Sequence, residues 1–229
     1  MALSLVFFLA FLGAVLPAIL WLSFWLLEDR CEPEPKQYIF FCFLAGMAMV
    51  VLALPIEQYA QRFLSGILLY AAWAATEEIL KFGAAYFVAL RWGVFNEPID
   101  AVIYLVTAAL GFSMVENALF LVPSIVQGDF IHTLLTGDMR FIGATLLHTL
   151  ASATIGITIA LAYNQPASVR IRVALGGVIL AIALHALFNF FILSESGGGI
   201  LLVFLFIWIG IIALLLLLER VKIPQRDYC

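Results

Sequence analysis

Residues 63–90 form an apolar run long enough to cross a bilayer, yet Thr76, Glu77, Glu78, Ile79, Leu80 and Lys81 stand at its centre. Each ionisable group at mid-membrane costs about 2.5–3.5 kcal/mol on insertion and turns toward a protein interior or a water-filled cavity. The run is therefore one wall of a bundle rather than a lone anchor. On a helix Lys81 lies i,i+4 from Glu77 and i,i+3 from Glu78, so it neutralises one carboxylate. The other needs a proton, a metal or a histidine from elsewhere in the chain. Either carboxylate suits the role of base, with a slight lean to Glu78.

The rest of the composition agrees. Of 229 residues, 65% are hydrophobic and 11% charged, and the mean hydropathy is +1.13. Soluble domains carry about 25% charged residues, so a soluble fold is excluded. Seven apolar runs reach membrane length, near 2–27, 38–57, 63–90, 99–122, 141–163, 171–193 and 199–218. The expected fold is all-α: one polytopic bundle over 1–229 with about seven transmembrane helices and a motif-bearing core near 63–193. Pro17 and Pro55 are expected to kink or end their helices, Pro98 to start the fourth, and Pro123 to open the longest connection. That connection has room for a short interfacial helix near 130–135, and His132, between Asp129 and Asp138, reads as a loop residue.

In this arrangement Arg30, Lys36, Arg91, Arg170, Arg172, Arg220, Lys222 and Arg226 share one side, against Arg62 and Arg140 on the other. Basic residues gather on the cytoplasmic side, which predicts an external N-terminus and a cytoplasmic C-terminus in a multi-pass cell-membrane protein. The cysteines Cys31, Cys42 and Cys229 form neither a disulfide framework nor a CxxC metal site. The first run lacks the basic region and cleavage site of a signal peptide and is expected to be retained. Asp227, Tyr228 and Cys229 are no prenylation signal. The lipid bilayer is the expected surroundings, and no nucleic-acid partner is expected.

Counting helical rise from each apolar boundary puts Glu116 about 22 Å, His148 about 20 Å, His185 about 18 Å and Glu78 about 17 Å above the cytoplasmic edge. Four runs thus place ionisable groups in one slab. Carboxylates with histidines at one depth suit water activation: a carboxylate takes the proton, while a histidine or metal stabilises the developing charge. His185 and Asn189 are i,i+4 and share a face, as ligand plus donor or as two donors to an oxyanion. Two histidines with a glutamate are also a zinc set, here His148 and His185 with Glu78 or Glu116. A zinc ion and a metal-free mechanism are equal alternatives.

The motif at 76–81 resembles the EExxK motif of the PrsW family of intramembrane proteases. So do 97–104 (Glu97, Pro98, Ile99, Asp100, Ala101, Val102, Ile103, Tyr104), then Gly111 with Phe112, and Glu116 with Asn117. Arg140 with His148, and His185 to Asn189, are similar to the remaining motifs, in order, over roughly 76–189. Ala101 and Leu105 stand where that pattern has glycines. The family is similar to the CAAX-processing protease superfamily. The resemblance implies an enzyme making site-1-type cuts in membrane-tethered proteins such as single-span anti-sigma factors. It implies Glu77, Glu78, Glu116, His148, His185 and Asn189 as the catalytic set, with Lys81, Asn117 and Asp100 in support.

Each residue also has a plainer reading. Glu77 and Glu78 could merely pair with Lys81, Glu116 could brace a neighbouring helix, and an intramembrane histidine is often a packing residue. Asp100 reads first as a cap in the first turn of its helix. Gly111 permits close helix approach, and Gly197, Gly198 and Gly199 read as a turn. A proton-coupled transporter would use similar groups, and a non-catalytic scaffold could keep them for structure. The chain shows no repeated halves of the transporter kind.

Overall fold

The computed structural model describes residues 3–29, 32–128, 130–194 and 200–226. Eight α-helices follow in order: α1 Leu3–Glu28, α2 Lys36–Ala60, α3 Gly66–Ala85, α4 Asp100–Gln127, α5 Phe130–Met139, α6 Thr145–Leu161, α7 Ala167–Ser194 and α8 Ile200–Arg226. π-Helical turns at Tyr86–Leu90 and Arg140–Ala144 extend α3 and join α5 to α6. No strand occurs among the described residues. Helices α1, α2, α4, α7 and α8 are long and apolar enough to cross a membrane. Between them pack α3, interrupted by Glu77, Glu78 and Lys81, and the 17-residue α6.

None of the three prolines ends a helix: Pro17, Pro55 and Pro123 all lie inside one. In an apolar medium a released backbone group finds no water, so continuing the helix is the cheaper outcome. Helix α4 instead stops at Gly128, whose φ of 72° is left-handed and lets its N–H reach the Ile125 carbonyl. The short helix expected near 130–135 is present as α5 and runs on to Met139, so the backbone of His132 is helical rather than an open loop. Pro98 stands in the turn before α4 and not inside it. The glycines at 197–199 lie outside the described residues.

Helix α4 is the axis of the bundle. Every residue from 100 to 114 is buried, and α1, α2 and α6 pack around it. Small residues make this possible. A Cβ on Gly46 of α2 would lie 1.9 Å from the Ala108 carbonyl oxygen, and one on Gly111 would lie 2.1 Å from that of Phe43. On the other flank, a Cβ on Gly156 of α6 would meet Val102 Cα at 2.6 Å. Backbone therefore touches backbone on both sides of α4, the packing that replaces hydrophobic drive inside a membrane. Helices α3 and α7 close the ring between α2 and α6.

Candidate active site

The interior side chains of α3, α4, α6 and α7 meet in one hydrogen-bonded cluster. Lys81 Nζ donates to Glu78 Oε1 at 2.6 Å and to His148 Nδ1 at 2.7 Å. An ammonium has only protons to give, so His148 Nδ1 is the acceptor and Nε2 carries the ring proton. That proton goes to Glu116 Oε2 at 2.8 Å. His185 Nδ1 donates to Glu78 Oε1 at 2.7 Å, and in the neutral ring Nε2 then carries the lone pair. Ser152 Oγ donates to the second Glu78 oxygen at 3.4 Å. The shared depth expected of Glu78, Glu116, His148 and His185 is thus realised as bonded contact.

Glu77 is placed differently. Lys81 stands 3.8 Å from its Oε2, His148 Nδ1 3.6 Å and His185 Nε2 3.9 Å. All exceed hydrogen-bond length, and Oε2 is buried with no hydrogen-bond partner among the described residues. Three carboxylates face two cations in the cluster, Lys81 and Arg140, and Glu77 is the one that neither cation reaches with a hydrogen bond. Donor atoms of Glu77, His148 and His185 lie within 4.8 Å of one another. The sequence pointed to Glu78 or Glu116 as the carboxylate that would join the histidines at a metal. Both are hydrogen-bonded to those histidines, Glu78 to His185 and Glu116 to His148, and Glu77 is the carboxylate whose oxygen groups with a nitrogen of each ring.

Arg140 is the residue that sequence reading underused, as a loop charge and a motif member. It is the first residue of the π-helical turn before α6, and its side chain reaches the cluster. Nη2 donates to Glu116 Oε2 at 2.8 Å, Nε donates to Asn117 Oδ1 at 2.6 Å, and the guanidinium lies 3.9 Å from the Phe120 ring centre. Asn117 in turn donates to Thr145 Oγ1 at 2.9 Å, tying α4 to α6. Eight residues separate Arg140 from His148, about two turns, and that spacing was the available signal. Side-chain exposure rises from 0% at Glu78 and Lys81 to 22% at Glu116 and 16% at Arg140, so the cluster opens toward the α5 end.

Two expected residues stand apart. Asn189 is half-buried on α7, one turn past His185, and no hydrogen bond joins it to the cluster. Asp100 begins α4, sixteen residues and roughly 24 Å of helix from Glu116. Its Oδ2 accepts the Asn96 and Glu97 amide protons at 2.9 and 2.8 Å. It closes the turn that precedes α4, a variant of the expected cap. Nearby, Tyr104 Oη donates to Glu34, and burial, then Asp100, push the Glu34 carboxyl up to about 9.

Residues 34–217 match the family described as PrsW family intramembrane metalloprotease. The chain belongs to this family. Relatives named Protease PrsW include that of Geobacillus kaustophilus (strain HTA426), 30% identical over 54% of this chain and 56% of the relative. That of Oceanobacillus iheyensis (strain DSM 14371 / CIP 107618 / JCM 11309 / KCTC 3954 / HTE831) is 26% identical over 88% and 91%. That of Bacillus subtilis (strain 168) is 22% identical over 80% and 83%. The alignment with the first relative and with a second, from Halalkalibacterium halodurans, spans little more than half of their lengths. No solved structure gives a significant match. The matched PrsW region holds all four helices of the cluster, from Glu77 on α3 to His185 on α7.

Proposed function

We propose that this chain is an intramembrane endopeptidase hydrolysing membrane-tethered protein substrates, with Glu77 as the base. The observation that carries this is the Glu77 Oε2 atom, buried without a donor beside His148 and His185. A carboxylate without a donor keeps its basicity, whereas one holding Lys81 and His185 spends it on them. Family membership favours hydrolysis over the transporter and scaffold readings.

A substrate helix hides its carbonyls, so it unwinds locally on entering the cluster. Glu77 takes a proton from a water held between the helices, and that oxygen attacks the exposed carbonyl carbon. Glu78, fixed by Lys81, His185 and Ser152, holds these groups in place. Arg140 and Glu116 orient His148. The Asn189 amide, free of the cluster, donates to the oxyanion as it forms. Glu77 then returns its proton to the departing nitrogen.

Glu77, His148 and His185 also suit zinc: one carboxylate and two imidazoles make a three-ligand site with an open position. His185 has the carboxylate partner behind it that metal-bound histidines usually have. His148 offers Nδ1, the atom Lys81 bonds in this structure, so lysine and metal compete for one lone pair. Bound there, the ion would lower the pKa of a water and polarise a carbonyl.

The substrate class proposed is a single-span protein of the anti-sigma-factor kind, cut in a site-1-type step. Seven spans are proposed, with α3 and α6 lined by the five longer apolar helices, the N-terminus external and the C-terminus cytoplasmic. Labelling of Cys229 by an impermeant thiol reagent on intact cells would overturn that orientation. For the chemistry, purified protein is incubated with a single-span peptide. Glu77→Gln is expected to slow cleavage about 10²–10⁴-fold, the usual worth of a general base, without loss of the folded, inserted state. Unchanged cleavage rejects the assignment.

A further inference from the structure

One carboxylate near the cluster is left over by this mechanism. The inward face of α2 runs through Ile39, Cys42, Gly46, Val50 and Ala53, all buried. The next position on that stripe, four residues on, is Glu57. Val50 and Ala53 pack with Phe112, Val115 and Leu80, so this face of α2 meets α4 and α3 just where Glu116 and Glu77 stand. Trp73 Nε1 donates to the Glu57 carbonyl oxygen at 3.2 Å, and Trp73 lies i,i+4 from Glu77. Glu57 is thereby held about one helical turn from Glu77, on the side where the cluster opens.

Its Oε1 is buried with no hydrogen-bond partner among the described residues. The charges acting on it are the like charges of Glu116 and Glu77 and the opposite charge of Lys81. The nearby cations are committed, Lys81 to Glu78 and His148, Arg140 to Glu116 and Asn117. A carboxylate in this setting favours any cation brought to it, because the cation lifts both the desolvation cost and the repulsion. The residue is half-exposed, so an incoming chain can reach it. A lysine or arginine where a substrate's apolar segment ends has a long stem that carries its charge along the helix surface to such a carboxylate.

We infer that Glu57 is a specificity residue that receives a lysine or arginine side chain of the substrate, on the flank of the scissile bond nearer the α2–α3 turn. The inference rests on the peptidase reading of the cluster. It is tested with single-span substrates that differ only in Lys, Gln or Glu at successive positions on that flank. The readout is the ratio of kcat/KM values within each enzyme, which cancels differences in active fraction. The wild-type protein is expected to prefer Lys over Gln by about tenfold at one position, the worth of a single charge-assisted hydrogen bond. Glu57→Gln is expected to bring that ratio near one, and Glu57→Lys to favour the Glu substrate. A flat wild-type profile, or a Lys preference that survives Glu57→Gln, overturns the inference while leaving the peptidase reading intact. Absence of cleavage for the whole set removes both.

Discussion

His185 Nδ1 donates to Glu78 Oε1 at 2.7 Å, and this bond directs the other ring nitrogen, Nε2, toward the unbonded Oε2 of Glu77 at 3.9 Å. The adjacent glutamates therefore have unlike surroundings. Glu78 is held by three donors and Glu77 Oε2 by none, and substitutions should separate them. Glu78→Ala removes the carboxylate that a buried ammonium and a buried imidazole share, a loss of about 3–5 kcal/mol for a broken buried pair. Glu77→Gln has no such bond to lose. Denaturation in detergent should show the first variant strongly destabilised and the second near wild type; equal stabilities would refute the division.

The donor set makes metal content a test between the two alternatives. If Glu77, His148 and His185 hold zinc, Glu77 is a ligand rather than the base, and protein purified without chelators carries close to one equivalent, absent from His185→Ala, with the unfolding temperature of the wild type falling on chelation. No bound metal, together with cleavage unaffected by chelators, would assign the reaction to the glutamate alone.

Arg140 supports His148 through Glu116, so its effect should be catalytic more than structural. Arg140→Lys keeps the charge and loses the forked geometry that spans Glu116 and Asn117. Cleavage is expected to fall about 10–100-fold, the usual cost of removing a residue that orients a site ligand, with little change in unfolding. A lysine variant of full activity would return Arg140 to the surface-charge role.

Gly111 and Gly83 make a matched pair for the packing. A Cβ at Gly111 would meet the Phe43 carbonyl oxygen, which belongs to α2 backbone and cannot yield, so Gly111→Ala should cost about 1–3 kcal/mol. Gly83 lies inside α3 with nothing within 4 Å of its Cβ position. There alanine should be neutral or stabilising by about 0.5–1 kcal/mol through helix propensity. Comparable losses at both would argue against α2 and α4 touching along this seam.

The acidic end around Glu34 predicts a pH dependence. Burial, with Asp100 beside it, raises the Glu34 carboxyl to about 9, against an ordinary 4.5. The folded chain thus holds this proton more tightly than the unfolded chain. Its contribution is complete below about 4.5 and declines as pH rises toward 9, since stability falls with pH wherever the folded state binds more protons. Unfolding temperatures should drop across that window, and Glu34→Gln should flatten the curve. An unchanged slope in the variant would place the titrating group elsewhere.

Much of this architecture could be read from the chain, because a bilayer narrows the choices. Apolar length decides where helices run, and a charge such as Lys81 inside one decides which face turns inward. The level shared by Glu78, Glu116, His148 and His185 followed from counting rise alone, since helices in a membrane have a common origin. Helix ends were less legible: Pro17, Pro55 and Pro123 do not end their helices, because no water competes for the backbone there. Which partner each polar group takes was beyond sequence. Lys81 is spaced to reach either glutamate, and only packing against α6 and α7 assigns it to Glu78 and His148 and strands Glu77. Arg140 looked like a loop charge, and only the packed helices show it bonded to Glu116. Spacing along one helix constrains which residues share a face; the bond each one makes depends on side chains arriving from other helices, and that information exists only once the four helices are packed.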